Sequence, residues 1–533
     1  MLRNAWKPVA ASVAVGTPVY FAYRYYSQPQ TFELPVRVKG TSGKSEMSSK
    51  TITLLPLQEL EARINKNAVS ETKTRPNGIS WTHTTASLAS NDPIEDANAN
   101  QLIERDASDP SSPGDYLFFA VMDGHGGFDT SRLLSKILIK GVALELANLI
   151  SNPNAAPPLG LMNRVKSLFG SYPSLQAPLS SNPAKVSQAI GQAFVKLDKE
   201  LLQTPLRILA NSMNQEDYKN QTIPDLSKHP LALTVMKPAI SGSCALLAVF
   251  DTAHRDLYVA VTGDSRAVAG VWEPSADGKG QWRVEVLTED QTGRNPSEKA
   301  RIQSEHPKDE EDYVIREGRV LGGLEPTRAF GDARYKWPRL VQETLNEAFM
   351  LGNGMPMRNT PPLFKTPPYV TAEPVVTHRK MSLARGTSSE PQSFGKRQRF
   401  LVLATDGLWD ELSNDEVVSL VAGHLAGLKG TIPKNQLPNL IPTFTGAQGI
   451  NGKRHASGGN MEGSWAFKDD NMSAHLIRNA FGGGDVTQLR RVLSIPAPYS
   501  RRYRDDVTVT VVCWEDGNES QAKISTESLK AKL

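Results

Sequence analysis

Carboxylates recur along this chain where apolar runs end. The sharpest case is Leu117-Phe-Phe-Ala-Val-Met-Asp-Gly-His-Gly-Gly127, in which six consecutive apolar residues stop at an acid, a histidine and three glycines. Such a run suits a strand covered on both faces, and it carries Asp123 and His125 to the strand's C-terminal tip. Gly124, Gly126 and Gly127 permit positive φ and close backbone approach, so carbonyls as well as side chains can face whatever Asp123 holds. Hard divalent cations take oxygen ligands of this kind. Taken alone, the stretch is equally a strand followed by a polar turn, with Asp123 capping a helix that starts near Thr130.

Four other segments repeat the pattern. Asp264 follows Leu257 to Gly263, Asp332 follows Arg328-Ala-Phe-Gly331, Asp406 follows Phe400 to Thr405, and Asp505 precedes the run Val507 to Cys513. A single acid of this type is a cap or turn former. Several, on separate strands, would make a carboxylate cluster built from a sheet, and a cation is the natural remedy for their mutual repulsion.

The elements that would position these acids are legible around them. At 533 residues, with an ordinary apolar share and a formal net charge of +4, the chain reads as globular, with no basic tract to suggest a nucleic-acid surface. Cys244 and Cys513 both sit inside apolar runs, where buried core thiols are expected. Helical spacing predicts helices over Pro56 to Lys66, Thr130 to Ile150 and Val186 to Leu202. Ser243 to Asp251 and Leu257 to Gly270 read as a hairpin pair, and the alternating stretch Gln281 to Leu287 extends the sheet. Glu95 and Asp96 follow Pro93, which biases Asp92 towards extended geometry. The acidic run Asp309 to Asp312 reads as solvent-facing. Ser413 and Glu416 form a capping box for a helix over Asn414 to Leu425. Short helices are expected over Met472 to Phe481 and Val486 to Leu493, before a last strand over Asp506 to Trp514.

Residues 1 to 50 read as a targeting segment and linker. Arg3, Lys7 and Arg24 precede any acid, as in mitochondrial presequences. The apolar run Val9 to Tyr23 is short for a membrane span, and an inner-membrane anchor, a sorting stop, a secretory signal or a buried helix are the alternatives. Residues 51 to 516 are expected to form the catalytic body, with insertions near 151–185 and 429–470 that are rich in Pro, Ser, Gly and Asn. Residues 517 to 533 read as a polar tail.

In order along the chain, Glu95-Asp96, Asp123-Gly-His-Gly-Gly127, Gly242-Ser-Cys244, Gly263-Asp-Ser-Arg266, Thr327-Arg-Ala-Phe-Gly-Asp332, Asp406-Gly-Leu-Trp-Asp410 and Arg504-Asp-Asp506 resemble the motifs of the metal-dependent protein serine/threonine phosphatases, the protein phosphatase 2C family. Asn91-Asp-Pro-Ile-Glu-Asp96, Glu305-His-Pro307, Pro367 to Pro374 and Tyr503-Arg-Asp-Asp506 are most similar to its pyruvate dehydrogenase phosphatase branch. The resemblance implies an α+β fold: a four-layer α-β-β-α sandwich with two central antiparallel sheets and a metal cleft at one sheet end.

The resemblance also implies roles for individual residues. Asp123 would bridge two Mg²⁺ or Mn²⁺ ions. Asp406 and Asp505 would complete one ion's shell, and Glu95 with the carbonyl of Gly124 the other. Asp264 and Asp410 match a weaker third metal site, while Asp96 and Asp332 match supporting acids. His125 would protonate the departing seryl or threonyl oxygen. Many family members carry an arginine that grips the phosphate where this chain has Asn91, which can donate a hydrogen bond but brings no charge. The branch has the same change. Position 506 is Asp where many relatives have Asn. The implied substrate is a phosphorylated mitochondrial protein, with pyruvate dehydrogenase the expected target. A different target in the same organelle, or a binding module that keeps the fold without turnover, are the competing readings.

Overall fold

The computed structural model describes residues 30–39, 45–74, 79–103, 114–151, 182–274, 280–381, 397–446 and 462–516. The fold is α+β, with two sheets carrying most of the strands. One runs in the order Val375–Lys380, Asp256–Thr262, Gly242–Asp251, Tyr116–His125, Ala97–Ile103, with the short strand Phe330–Gly331 also paired to Gly242–Asp251. The other runs Thr443–Thr445, Gln281–Val286, Arg266–Glu273, Arg397–Ala404, Val507–Asp516, Ile79–Leu88, Val69–Thr74. Pairing is antiparallel throughout except at the edge, where Thr443–Thr445 runs parallel to Trp282–Val284.

The unbroken apolar runs follow from burial on both faces. Side chains alternate along a strand, so Leu117, Phe119 and Val121 pack with Leu246, Phe250, Leu401, Leu403, Val512 and Trp514 in a cluster shared by the two sheets. The intervening Phe118, Ala120 and Met122 pack on Leu134 and Leu138 of the helix Asp129–Ser151 and on Ile190 and Phe194 of the helix Pro183–Ser212. In the other sheet, Phe400, Val402 and Ala404 meet Val417 and Val421 of the helix Asn414–Leu425 and Ile477 of the helix Met472–Phe481. The Ser413–Glu416 capping box is present as expected. Both cysteines are buried.

Several expectations are corrected. Leu257 to Gly270 is two strands rather than one: Gly263 at φ 106° breaks the run, Asp256–Thr262 stays in one sheet, and Arg266–Glu273 joins the other. Much of the stretch read as linker up to residue 50 is in strands: Thr31–Lys39 pairs antiparallel with Ser45–Thr53. The alternation Phe32, Leu34, Val36 explains it, because Leu34, Val36 and Ile52 bury one face on Ile495. The described residues of 429–470, read as an insertion, include strands Gly430–Pro433 and Ser464–Phe467, which pair with each other, and Thr443–Thr445. Among them Leu437, Ile441, Trp465 and Phe467 join the core. In the acidic run, Glu310 is buried and accepts hydrogen bonds from Thr366 Oγ1 (2.7 Å) and the Tyr369 hydroxyl. Pro183–Ser212 extends about three turns beyond the helix expected over Val186 to Leu202, through Pro205.

Residues 1–29, read as a targeting segment with the start of a linker, the Pro-rich stretch 152–181 and residues 517–533, read as a polar tail, lie outside the described residues. Among the described residues, no helix is long and apolar enough to cross a membrane.

Candidate active site

Asp123 lies near the C-terminal end of a strand of one sheet, two residues before its last at His125, and Asp406 follows a strand of the other, while Asp264 lies on the crossing that joins them. Three strand ends from two sheets therefore deliver one carboxylate each to the same place. Ligand oxygens of Asp123, Asp264 and Asp406 all lie within 4.8 Å of one another. Burial, and then the charges of Asp406, Asp96 and Asp264, push the Asp123 carboxyl well above its ordinary range. Such a cluster is costly as bare carboxylates and fits a divalent cation, whose preferred ligands are these oxygens.

Neighbouring residues hold the three in place. Arg266 forms a buried fork on Asp290 (2.9 and 2.6 Å), donates to Asn414 Oδ1 (2.8 Å) and lies over the Trp409 ring, fixing the turn that carries Asp264. Trp409 Nε1 donates to the Ala404 carbonyl at 3.0 Å, which folds the Asp406–Trp409 turn back on its strand. A Cβ on Gly407 would meet the Asp506 carbonyl at 2.2 Å and the Asp505 Cβ at 3.2 Å, so glycine lets the Asp406 turn and the Asp505 segment touch.

The other expected ligands flank this group. Asp505 pairs with Arg501 and accepts from the Asp506 amide at 2.6 Å. Glu95 is partly buried, and burial followed by the Asp506 charge raises its pKa. Gly124 packs directly on the Glu95 backbone: a Cβ there would lie 2.1 Å from the Glu95 carbonyl oxygen, which also accepts from Ser131 Oγ. Asp410 is exposed past the end of the Asp406–Trp409 turn, and the three-carboxylate group does not include it.

Asp96 is buried. Its Oδ2 accepts from Thr405 Oγ1 at 2.9 Å, and burial followed by the Asp506 charge raises its pKa strongly.

His125 Nε2 lies 2.6 Å from Asp332 Oδ2. Burial opposes the charged imidazole, but the Asp332 carboxylate outweighs it and the pKa is raised. Asp332 adopts the left-handed conformation at φ 51°, with its amide on the Ser241 carbonyl at 2.9 Å. Gly242 makes the pair fit, since a Cβ there would meet His125 Nε2 at 2.1 Å and Asp332 Oδ2 at 2.3 Å.

Asn91 lies in the turn that leads to Glu95. Its side-chain amide donates to Asp506 Oδ2 at 2.9 Å and lies 3.5 Å from Glu95 Oε2. Asp506 is the organiser of this corner and accepts from the amides of Ser90 (2.5 Å), Asn91 (2.8 Å) and Glu95 (2.8 Å). Sequence reasoning treated it as one more acid. Its proximity in the chain to Asp505 hid its different task, and only the folded turn 90–95 reveals it. Arg501 was missed for the same reason.

The chain matches the family model described as protein phosphatase 2C over residues 179–429. It is 35% identical over 502 residues to the mitochondrial pyruvate dehydrogenase (acetyl-transferring) phosphatase 1 of Saccharomyces cerevisiae, covering 90% of this chain and 77% of that one. A protein phosphatase 2C homologue of Schizosaccharomyces pombe is 33% identical over 439 residues, covering 80% and 79%. The human mitochondrial pyruvate dehydrogenase (acetyl-transferring) phosphatase 2 is 34% identical over 440 residues, covering 80% and 76%.

Proposed function

The chain belongs to the protein phosphatase 2C family, in its pyruvate dehydrogenase phosphatase branch, and is a metal-dependent protein serine/threonine phosphatase; on that premise we propose that the Asp123–Asp264–Asp406 cleft is its active site. The observation that carries this reading is the convergence of the three carboxylates within 4.8 Å from separate strand ends. We read the surrounding architecture as the four-layer sandwich of the family, with the cleft at one end of its sheets.

Asp123 and Asp406, with Asp505, Glu95 and the Gly124 carbonyl beside them, would hold two Mg²⁺ or Mn²⁺ ions, and Asp264, which meets Asp123 and Asp406, would serve a weaker third with Asp410. Ions bound there would lower the pKa of a bound water and offset the charge of the phosphoryl oxygens. The protein's own part is positioning and proton delivery. Asp332 holds His125 through Nε2, which leaves Nδ1 to give a proton to the departing seryl or threonyl oxygen.

Two of these relatives carry a mitochondrial pyruvate dehydrogenase phosphatase name, which supports a mitochondrial location and phosphorylated pyruvate dehydrogenase as substrate. The test is release of phosphate from phosphorylated pyruvate dehydrogenase and from a generic phosphopeptide, with Mn²⁺ and with EDTA. Metal-dependent release from both supports the full reading. Release from the peptide alone would remove the substrate assignment, and release undiminished in EDTA would overturn the site.

A further inference from the structure

A phosphorylated side chain brings about 1.5 to 2 negative charges into a cleft already lined by carboxylates. A donor of positive charge beside those carboxylates would favour its binding. Asn91 does not supply one, because its amide is turned onto Asp506 and Glu95.

The segment beside it does carry one. The short helix Tyr499–Arg502 is fastened against residues 89–91: Ser500 Oγ donates to the Ser90 carbonyl at 2.5 Å, Ser90 Oγ donates to the Arg504 carbonyl at 2.8 Å, and Arg504 Nη2 donates to the Ala89 carbonyl at 3.1 Å. This seam stands Arg501 next to the acids. One of its terminal nitrogens pairs with Asp505, its charge acts on Glu95, and its side chain is 43% exposed where Asp505 is 27% exposed. A guanidinium has five N–H donors in a planar fork that matches phosphate oxygens, so pairing with a single carboxylate leaves donors for a second, solvent-side anion.

We propose that Arg501 is a phosphate-binding residue of this site, gripping the phosphoryl group of the substrate from the rim of the cleft. The proposal rests on the phosphatase reading above and extends it to substrate recognition. The positive charge absent at position 91 reaches the cleft from the adjoining segment of chain. The competing role is that of a counter-ion to Asp505 alone, and the two differ in what they bind.

The experiment uses the full-length protein with a phosphothreonine peptide as substrate, inorganic phosphate as competing product and Mn²⁺ as metal. In Arg501→Ala the peptide KM and the phosphate inhibition constant are each expected to rise by about tenfold or more, the loss of one charge-assisted hydrogen bond, with Mn²⁺ affinity equal to or tighter than wild type. Arg501→Lys, which retains a point charge, is expected to recover part of the phosphate affinity. Arg501→Gln, which keeps length and a donor, is expected to follow the alanine variant and guards against a fault peculiar to the truncation. Unchanged KM and phosphate inhibition, with only Mn²⁺ affinity altered, would overturn the proposal and leave a counter-ion. Loss of metal-dependent release in the wild type would instead strike the phosphatase reading itself.

Discussion

The Asp506 carboxylate holds Asn91 twice, accepting its backbone amide on Oδ1 at 2.8 Å and its side-chain amide on Oδ2 at 2.9 Å. The same Oδ2 takes the Glu95 amide at 2.8 Å, so a residue one step from Asp505 shapes the turn that presents Glu95. Asp506→Asn would face two N–H donors with an amide NH₂ or give up an equal pair on the other oxygen. Each buried donor left unsatisfied costs about 1–3 kcal/mol. The variant is therefore expected to unfold at lower urea and to bind Mn²⁺ more weakly than wild type. Equal midpoints and equal Mn²⁺ affinity would contradict the assignment.

Gly242 is predicted to be required for proton delivery. A Cβ there lies within 2.3 Å of both His125 Nε2 and Asp332 Oδ2, so Gly242→Ala must separate them. General acid catalysis contributes about 10²- to 10⁴-fold. We expect kcat on a phosphopeptide to fall by at least about tenfold, with the Mn²⁺ requirement kept. A substrate with a leaving group that needs no proton, such as p-nitrophenyl phosphate, should be affected less. Equal loss on both substrates would argue that the glycine serves the fold alone.

Glu298 gives a pH dependence whose sign follows from its partners. Burial would raise its pKa, but hydrogen bonds from Arg328 and Arg301 hold it at about 2, against an ordinary value of 4.5. A folded-state pKa below the unfolded one adds stability that is present above about pH 4.5 and is lost as pH falls towards 2. The contribution at neutral pH is on the order of 3 kcal/mol. Glu298→Gln should therefore be clearly less stable than wild type at pH 7, with a gap that narrows towards pH 3. A constant gap across urea titrations at pH 7, 5 and 3.5 would refute the linkage.

The hairpin 31–53 is predicted to brace the segment leading to Asp505. Leu34, Val36 and Ile52 bury Ile495, Leu55 donates its amide to Ser494 Oγ at 2.8 Å, and Lys50 lies over the Tyr499 ring. Leu34→Ala should cost about 2 kcal/mol or more by cavity formation. Because Asp505 follows this segment, the variant should also need more Mn²⁺ for half-maximal activity. Wild-type metal dependence in a destabilised variant would confine the hairpin to stability.

Much of this arrangement was legible before folding. Burial on both faces makes a strand a continuous apolar run, so the strands ending near Asp123 and Asp406 could be found from their composition, and the capping box at Ser413 from two residues. Period-two reasoning failed where a run crosses between sheets. Leu257 to Gly270 looks like one strand because both halves are buried, and only Gly263 marks the break that puts Asp264 beside Asp123. It failed again at residues 31–53, whose alternating face is too short and polar to stand out until Ile495 covers it. The division of labour between Asp505 and Asp506 was hidden because adjacent side chains diverge, one towards Arg501 and the other under the 90–95 turn.

Calorimetric titration of Mn²⁺ into the wild-type protein, Asp123→Asn and Asp406→Asn tests the central claim without relying on turnover. Saturable binding by the wild type, lost or weakened by at least about tenfold in both variants while their unfolding remains cooperative, is the predicted result. Binding of the same stoichiometry and affinity in all three proteins would contradict a metal site at the convergence of these carboxylates.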